Sequence, residues 1–272
     1  MGMKRIARAS GVFVCIFMLM LAMTVSAFAV SNEIDVSKVS SGVVTVNYND
    51  GTNAKMKVAI TINGKTTYQD YTQGTVSSYS LVEGNGEYTI SLYSNIAGNS
   101  YRQVAKQVVN VVLNSEFAPY LASTTKVNFA AGDAVTAKAA ELCAGKTSAA
   151  EKVVAIHNYI AANYTYDSDL AAQINSGAVT SYAPNANSVL NAKKGICYDL
   201  ASLFAAMCRS QGVPCKLTNG YVGNVYHAWD QVYVNGAWQN IDPTYAVARV
   251  RNGAADFQGC ISPRTLVAVA SV

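Results

Sequence analysis

Three side chains in the later part of this chain have the types and order that thiol catalysis requires: Cys197, His227 and Asp242. A thiol must lose its proton to attack, a neighbouring imidazole can take that proton, and a carboxylate can hold the imidazole in place. All three fall within GICYDLASLFAAMCRSQGVPCKLTNGYVGNVYHAWDQVYVNGAWQNIDPTY, residues 195–245.

The elements that must position them are readable. Asn235-Gly236 sits between two β-forming runs, DQVYV and AWQNI, and predicts a two-residue hairpin turn. That turn pairs Val234 with Ala237, Trp229 with Asp242 and His227 with Thr244. Side chains repeat every two residues, so His227 and Asp242 share a face as diagonal neighbours, about 7–8 Å apart at the backbone. A side-chain hydrogen bond closes such a gap, provided that no bulge shifts the register. Cys197, Leu200, Leu203, Phe204 and Met207 recur at helical spacing, and Gly212-Val213-Pro214 ends that helix. Cys197 is thereby placed at a helix N-terminus, where free N–H groups and the dipole stabilise a thiolate. Its own N–H is a candidate oxyanion donor, and Tyr182, Asn187 and Trp229 are candidates for a second. A cysteine on an apolar stripe also packs as an inert small side chain. Asp199, in the first helical turn, matches the dipole. His157 lies on the Val153–Ile156–Ile160 side of its own helix and reads as packing, as do Trp229 and Trp238.

In this order GxC, a helix, GVP, HAW and W-x-x-x-DPT resemble the bacterial transglutaminase-like superfamily. The resemblance runs from near Phe117 to at least Tyr245 and takes in EKVVAIHNYIAANYTYD, a helix that members carry before the cysteine motif. It implies an α+β fold with a papain-like core, a nucleophile helix packed on an antiparallel sheet. It also implies roles: Cys197 as nucleophile, His227 as base and Asp242 as the orienting acid. The superfamily includes transglutaminases, peptidases, deamidases and members without activity, so the fold leaves the reaction open. Cys208 and Cys215 depart from it, standing where apolar residues or Thr are expected.

Residues 1–29 carry Lys4, Arg5 and Arg8, an apolar run from Gly11 to Met23, and Ala27-Phe28-Ala29. This is the pattern of a secretory signal peptide with an A-x-A cleavage site. Without those three basic residues the net charge falls from +4 to +1, 17 basic against 16 acidic side chains. That balance gives no electrostatic reason to bind nucleic acid or an anionic membrane, and no stable membrane insertion is expected after cleavage. Cys15 leaves with the signal. Cys143, Cys197, Cys208, Cys215 and Cys260 remain, an odd number for an exported protein, which suggests one free thiol and two bridges. With Cys197 free, Cys208–Cys215 and Cys143–Cys260 are the expected bridges, although the residues leave all three pairings of the four open. No C-x-x-C or H-x-x-x-H spacing argues for zinc, and no acidic loop argues for calcium. Thiol acyl transfer needs no cofactor.

Residues 30–115 differ in kind. Alternating runs at Val44–Tyr48, Met56–Ile62, Tyr88–Leu92 and VVNVVL are separated by turn signals at Asn49-Asp50-Gly51, Asn63-Gly64 and Gly84-Asn85-Gly86. They predict an all-β, immunoglobulin-like sandwich, whose many tyrosines pack at strand edges or bind glycan or protein. Pro119 follows the end of this pattern. Residues 116–272 form the expected catalytic domain, with Ser148-x-x-Glu151 as a capping box. The polar stretch from Asp167 to Asn191 reads as a long loop forming the site wall. Two functions follow. One is an exported, extracellular or surface-bound thiol enzyme acting on protein or peptide amides of the cell envelope. The other is an inactive envelope-binding or adhesion module that uses the same domain as scaffold.

Overall fold

The computed structural model describes residues 32–249 and 256–272, so the signal sequence and Cys15 lie outside the described residues. The chain begins with strands β1 (Ile34–Asp35), β2 (Val43–Asn47), β3 (Met56–Ile62), β4 (Lys65–Tyr71), β5 (Val76–Ser80), β6 (Gly86–Ala97) and β7 (Ser100–Val111). They form two antiparallel sheets, β1-β2-β5 and β4-β3-β6-β7. Ile34, Val44, Val46 and Tyr79 of the first sheet share one buried cluster with Met56, Val58, Ile60, Ile90 and Leu92 of the second. Val44 and Val46 of β2 and Met56, Val58, Ile60 and Ile62 of β3 enter that cluster at two-residue spacing because one pleat face meets it.

The connector 117–120 packs against the later sheet through aromatic rings. Phe117 lies 4.5 Å from Tyr233, Tyr120 lies 5.2 Å from Trp238, and the Lys216 Nζ sits 3.9 Å over the Trp238 ring. Trp238 is therefore an outer-face contact of the hairpin, whereas Trp229 is a true core residue. Thr125 bridges back to the first sheet, accepting from the Ser78 N–H and donating its own N–H to Ser78 O.

Helices α1 (Ala134–Cys143) and α2 (Ala149–Asn163) follow. The Ser148/Glu151 capping box opens α2, as its sequence predicts. Strand β8 (Thr165–Tyr166) pairs in parallel with β9 (Lys194–Gly195). Between these strands the expected loop is in fact two short helices, α3 (Ser168–Asn175) and α4 (Ala186–Ala192). Each is opened by a side-chain cap, Asp167 accepting from Leu170 N–H and Asn185 from Ser188 N–H. The polar composition that suggested a loop supplies these caps.

The candidate nucleophile helix α5 (Cys197–Ser210) is buried on every side from Asp199 to Arg209, not on one stripe. The Arg209 guanidinium is buried with it and donates to Cys215 O, Ala122 O and Val272 O. Gly212 adopts the left-handed conformation that ends the helix (φ 74°). Then come β10 (Cys215–Val222), β11 (Val225–Val234), β12 (Ala237–Ile241), α6 (Pro243–Arg249) and β13 (Val267–Ser271), with sheet order β12-β11-β10-β13. Helix α5 packs on this antiparallel sheet through one core that includes Leu203, Phe204, Leu217, Val232 and Ile241. The fold is α+β, with the helix of Cys197 packed on an antiparallel sheet, as the sequence predicts.

The expected disulfides are not formed. Among the described residues Cys143, Cys197, Cys208, Cys215 and Cys260 form no disulfide. Cys208 and Cys215 do meet, but as a thiol–thiol hydrogen bond, with Cys143 and Cys260 near enough to act on Cys208. Burial pushes the Cys208 thiol up, and Cys215 Sγ donates to Asp230 Oδ1 at 3.8 Å. The four pack as small side chains of the core around α5.

Gly195 shows how tightly the start of α5 is held. A Cβ there would lie 2.5 Å from Asp199 Cβ, on the helix itself. Gly195→Ala is expected to destabilise the protein by roughly 1–3 kcal/mol through overpacking, read as a lower midpoint in urea. An unchanged midpoint would mean that β9 moves aside freely.

Candidate active site

Each of the three side chains is placed by a local rule. Asn235 and Gly236 both take positive φ (53° and 80°), as a type I′ turn requires. The register runs from Val234↔Ala237 to Asp230↔Ile241 without a bulge, as the sequence predicts. The ladder stops there. The chain turns into α6 at Pro243, so the expected facing of His227 and Thr244 is replaced by a helix. Asp242 stands at that junction and caps α6, its Oδ1 accepting from Tyr245 N–H at 3.1 Å. Its Oδ2 lies 3.0 Å from His227 Nε2.

Cys197 is the first residue of α5 and is partly buried. Its side chain hydrogen-bonds with His227. His227 Nε2 is turned to Asp242, which leaves Nδ1 as the ring nitrogen for the thiol. In the neutral imidazole this means the proton sits on Nε2 and Nδ1 can accept. The structure thus brings Cys197, His227 and Asp242 together in one chain of hydrogen bonds.

His227 and Asp242 are nearly sealed from solvent, 6% and 2% exposed. Burial pulls the His227 imidazolium down, but Asp242 and Cys197 outweigh it, and the group is raised to about 9. Trp229 stacks on it, ring centroids 6.3 Å apart and planes 17° from parallel.

The other sequence candidates fall elsewhere. Tyr182 donates to Asp199 Oδ1 at 2.7 Å, and Asn187 holds Asp133 Oδ2 and Val135 N–H at the start of α1. Trp229 Nε1 is buried without a hydrogen-bond partner among the described residues. His157 is buried within α2. Asp199 does more than match a dipole. Its Oδ2 accepts from Ile196 N–H at 3.0 Å and its Oδ1 from Tyr182, so it ties the segment before α4 to the start of α5. Tyr166 and Tyr226 both sense Cys197 electrostatically, and with Tyr182 they form a partly exposed aromatic rim.

Arg264 is the residue that sequence reasoning missed. Its Nη1 lies 2.9 Å from Asp242 Oδ2, the same oxygen that His227 uses. It comes from the segment after Cys260, which runs beside β12 through the Ile241↔Ile261 bridge and the bond from Ser262 N–H to Asn240 O.

Residues 136–243 match the core profile of the Transglutaminase-like superfamily. The chain carries a transglutaminase-like domain. The match runs from within α1 to the first residue of α6 and includes all three side chains of the hydrogen-bonded chain. Curated relatives include the kyphoscoliosis peptidases of Mus musculus and Homo sapiens, 30% and 32% identical over 119 residues. These alignments cover 39% of this chain and 17% of each relative, so the chain spans only about a sixth of their length. Solved structures similar to the chain include a candidate cysteine protease from Cytophaga hutchinsonii, 19% identical, covering 85% of this chain and 76% of that one, with a TM-score of 0.43. Another is the periplasmic domain of TgpA from Pseudomonas aeruginosa, 13% identical, covering 82% and 99%, with a TM-score of 0.38. Among the described residues no helix beside the transglutaminase-like domain or within it is long and apolar enough to cross a membrane.

Proposed function

We propose that this protein is an exported thiol enzyme that transfers acyl groups from protein or peptide amides, as a peptidase, an amidase or a transglutaminase. The observation that carries the reading is the hydrogen-bonded chain Cys197–His227–Asp242 inside the transglutaminase-like domain. The signal-type N-terminus supports export, and a cell-envelope or extracellular substrate fits it.

Cys197 gives its proton to His227 Nδ1, and the thiolate attacks the amide carbonyl carbon. The tetrahedral oxyanion meets the N–H groups at the start of α5, which have no partners within the helix. The C–N bond then breaks, His227 gives its proton to the leaving amine, and a thioester to Cys197 remains. Water or a lysine-type amine next attacks the thioester as His227 takes its proton, and Cys197 is released. Water makes the reaction hydrolysis, and an amine makes it crosslinking. The tyrosine rim suits extended peptide rather than a small charged ligand.

Alkylation with iodoacetamide tests the pair directly. Between pH 6 and 7 Cys197 should react about 10- to 100-fold faster in the parent than in His227→Ala, because a free thiol is mostly protonated there. Casein with and without a dansylated amine then separates release of peptide from incorporation of label. Equal alkylation rates in the two proteins would remove the enzyme reading and leave a binding module.

A further inference from the structure

One charged contact of the site has no part in the steps above. Asp242 Oδ2 accepts from two donors, His227 Nε2 at 3.0 Å and Arg264 Nη1 at 2.9 Å. The Asp242 carboxylate is fully enclosed, while the Arg264 side chain is 29% exposed. Because both donors bind one atom, imidazole and guanidinium stand within about 6 Å of each other, a range in which a charge moves a neighbour's protonation. Arg264 is itself held: it lies over the ring of Tyr245, and the backbone N–H of Tyr245 bonds the other oxygen of Asp242.

We infer that Arg264 is a positioning residue of the thiol site, fixing the Asp242 carboxylate against His227 and opposing the positive charge of its imidazolium. The inference rests on the thiol-enzyme reading. A carboxylate alone makes a buried imidazolium too comfortable. It must also be a competent acid, since it hands its proton to the leaving amine. A fixed guanidinium on the same oxygen divides the lone pairs and repels the imidazolium, and both effects favour release of that proton.

The groups facing this network are few. Cys197 reaches His227 from α5, and Asp242 reaches it from the end of β12. Asp230 of β11 acts on Asp242 from within the sheet, and Arg249 lies over Tyr245 from α6. Apart from the His227 imidazolium, Arg264 is the one cation bonded to the carboxylate among the described residues.

The chain has two histidines, so the ring signals of His227 can be followed by NMR and separated from those of His157 with a His157→Gln variant. In Arg264→Gln, which keeps a donor and loses the charge, the His227 midpoint should rise by about one pH unit. Arg264→Lys should stay close to the parent. Turnover of an alkyl amide should fall in the Gln variant through kcat rather than KM. An unchanged or lowered midpoint in Arg264→Gln, or equal midpoints in the Gln and Lys variants, overturns the role of Arg264 and leaves the thiol–imidazole pair standing. If Arg264→Gln and Arg264→Met both fail to fold, Arg264 is a structural tie and the inference falls. A parent midpoint near the ordinary histidine value, about 6.5, with slow alkylation of Cys197, overturns the pair itself and Arg264's role with it.

Discussion

Replacing Cys197 by alanine is expected to abolish turnover of amide substrates, by about 10⁴-fold or more, while the protein keeps its stability. The two halves of this expectation have different origins. Activity goes because Cys197 is the one thiol bonded to His227 among the described residues, while Cys143, Cys208, Cys215 and Cys260 are buried in the core. Stability stays because Cys197 is partly exposed at the first position of a helix, and alanine is the best helix former. Cys197→Ser sharpens the test. A hydroxyl can keep the bond to His227 but does not ionise near neutrality, so the serine variant should be as inactive as alanine. The His227 midpoint should also fall from about 9 in Cys197→Ala, since Cys197 is one of the partners that raise it. Measured kcat/KM together with a urea midpoint checks both halves. Activity surviving in Cys197→Ala would end the thioester mechanism, and loss of fold would make the cysteine a packing residue.

What the chain reveals before folding, and what it hides, divides along the range of the forces. Asn235-Gly236 sets a local backbone rule, so the register from Val234↔Ala237 onward could be read in advance. The capping box at Ser148 and the left-handed Gly212 are local in the same way. Helices α3 and α4 differ from the expected loop because Asp167 and Asn185 are polar residues that either start a helix or populate a loop, and only tertiary contacts choose between them. Cys208 and Cys215 follow the same lesson: proximity in sequence brings the two thiols together, while small side chains packed in the core need no bridge. Arg264 was invisible because nothing in its neighbourhood marks it. It reaches Asp242 only after the chain has left the hairpin, formed a turn at Cys260 and returned along β12.

The second large effect is expected at Asp242. Three donors converge on this carboxylate: Tyr245 N–H on Oδ1, and His227 and Arg264 on Oδ2. Asparagine offers one oxygen and one NH₂ group. Turned one way, the NH₂ faces Tyr245 N–H and the cap of α6 is lost. Turned the other way, it faces His227 and Arg264 together. Either orientation leaves a buried donor unpaired, at about 1–3 kcal/mol. The charge is lost as well. Burial lowers the His227 imidazolium and Asp242 is the first partner that raises it, so the His227 midpoint must fall in Asp242→Asn. Loss of the charge and of the fixed tautomer should reduce kcat/KM by about 10²- to 10⁴-fold. The sign separates this variant from Arg264→Gln: two substitutions on one hydrogen-bonded oxygen should move the same imidazole in opposite directions. A midpoint that moves the same way in both would mean that each variant merely loosens the site. A midpoint that moves oppositely, with activity reduced in both, would show that the His227 proton is balanced between the pull of Asp242 and the repulsion of Arg264.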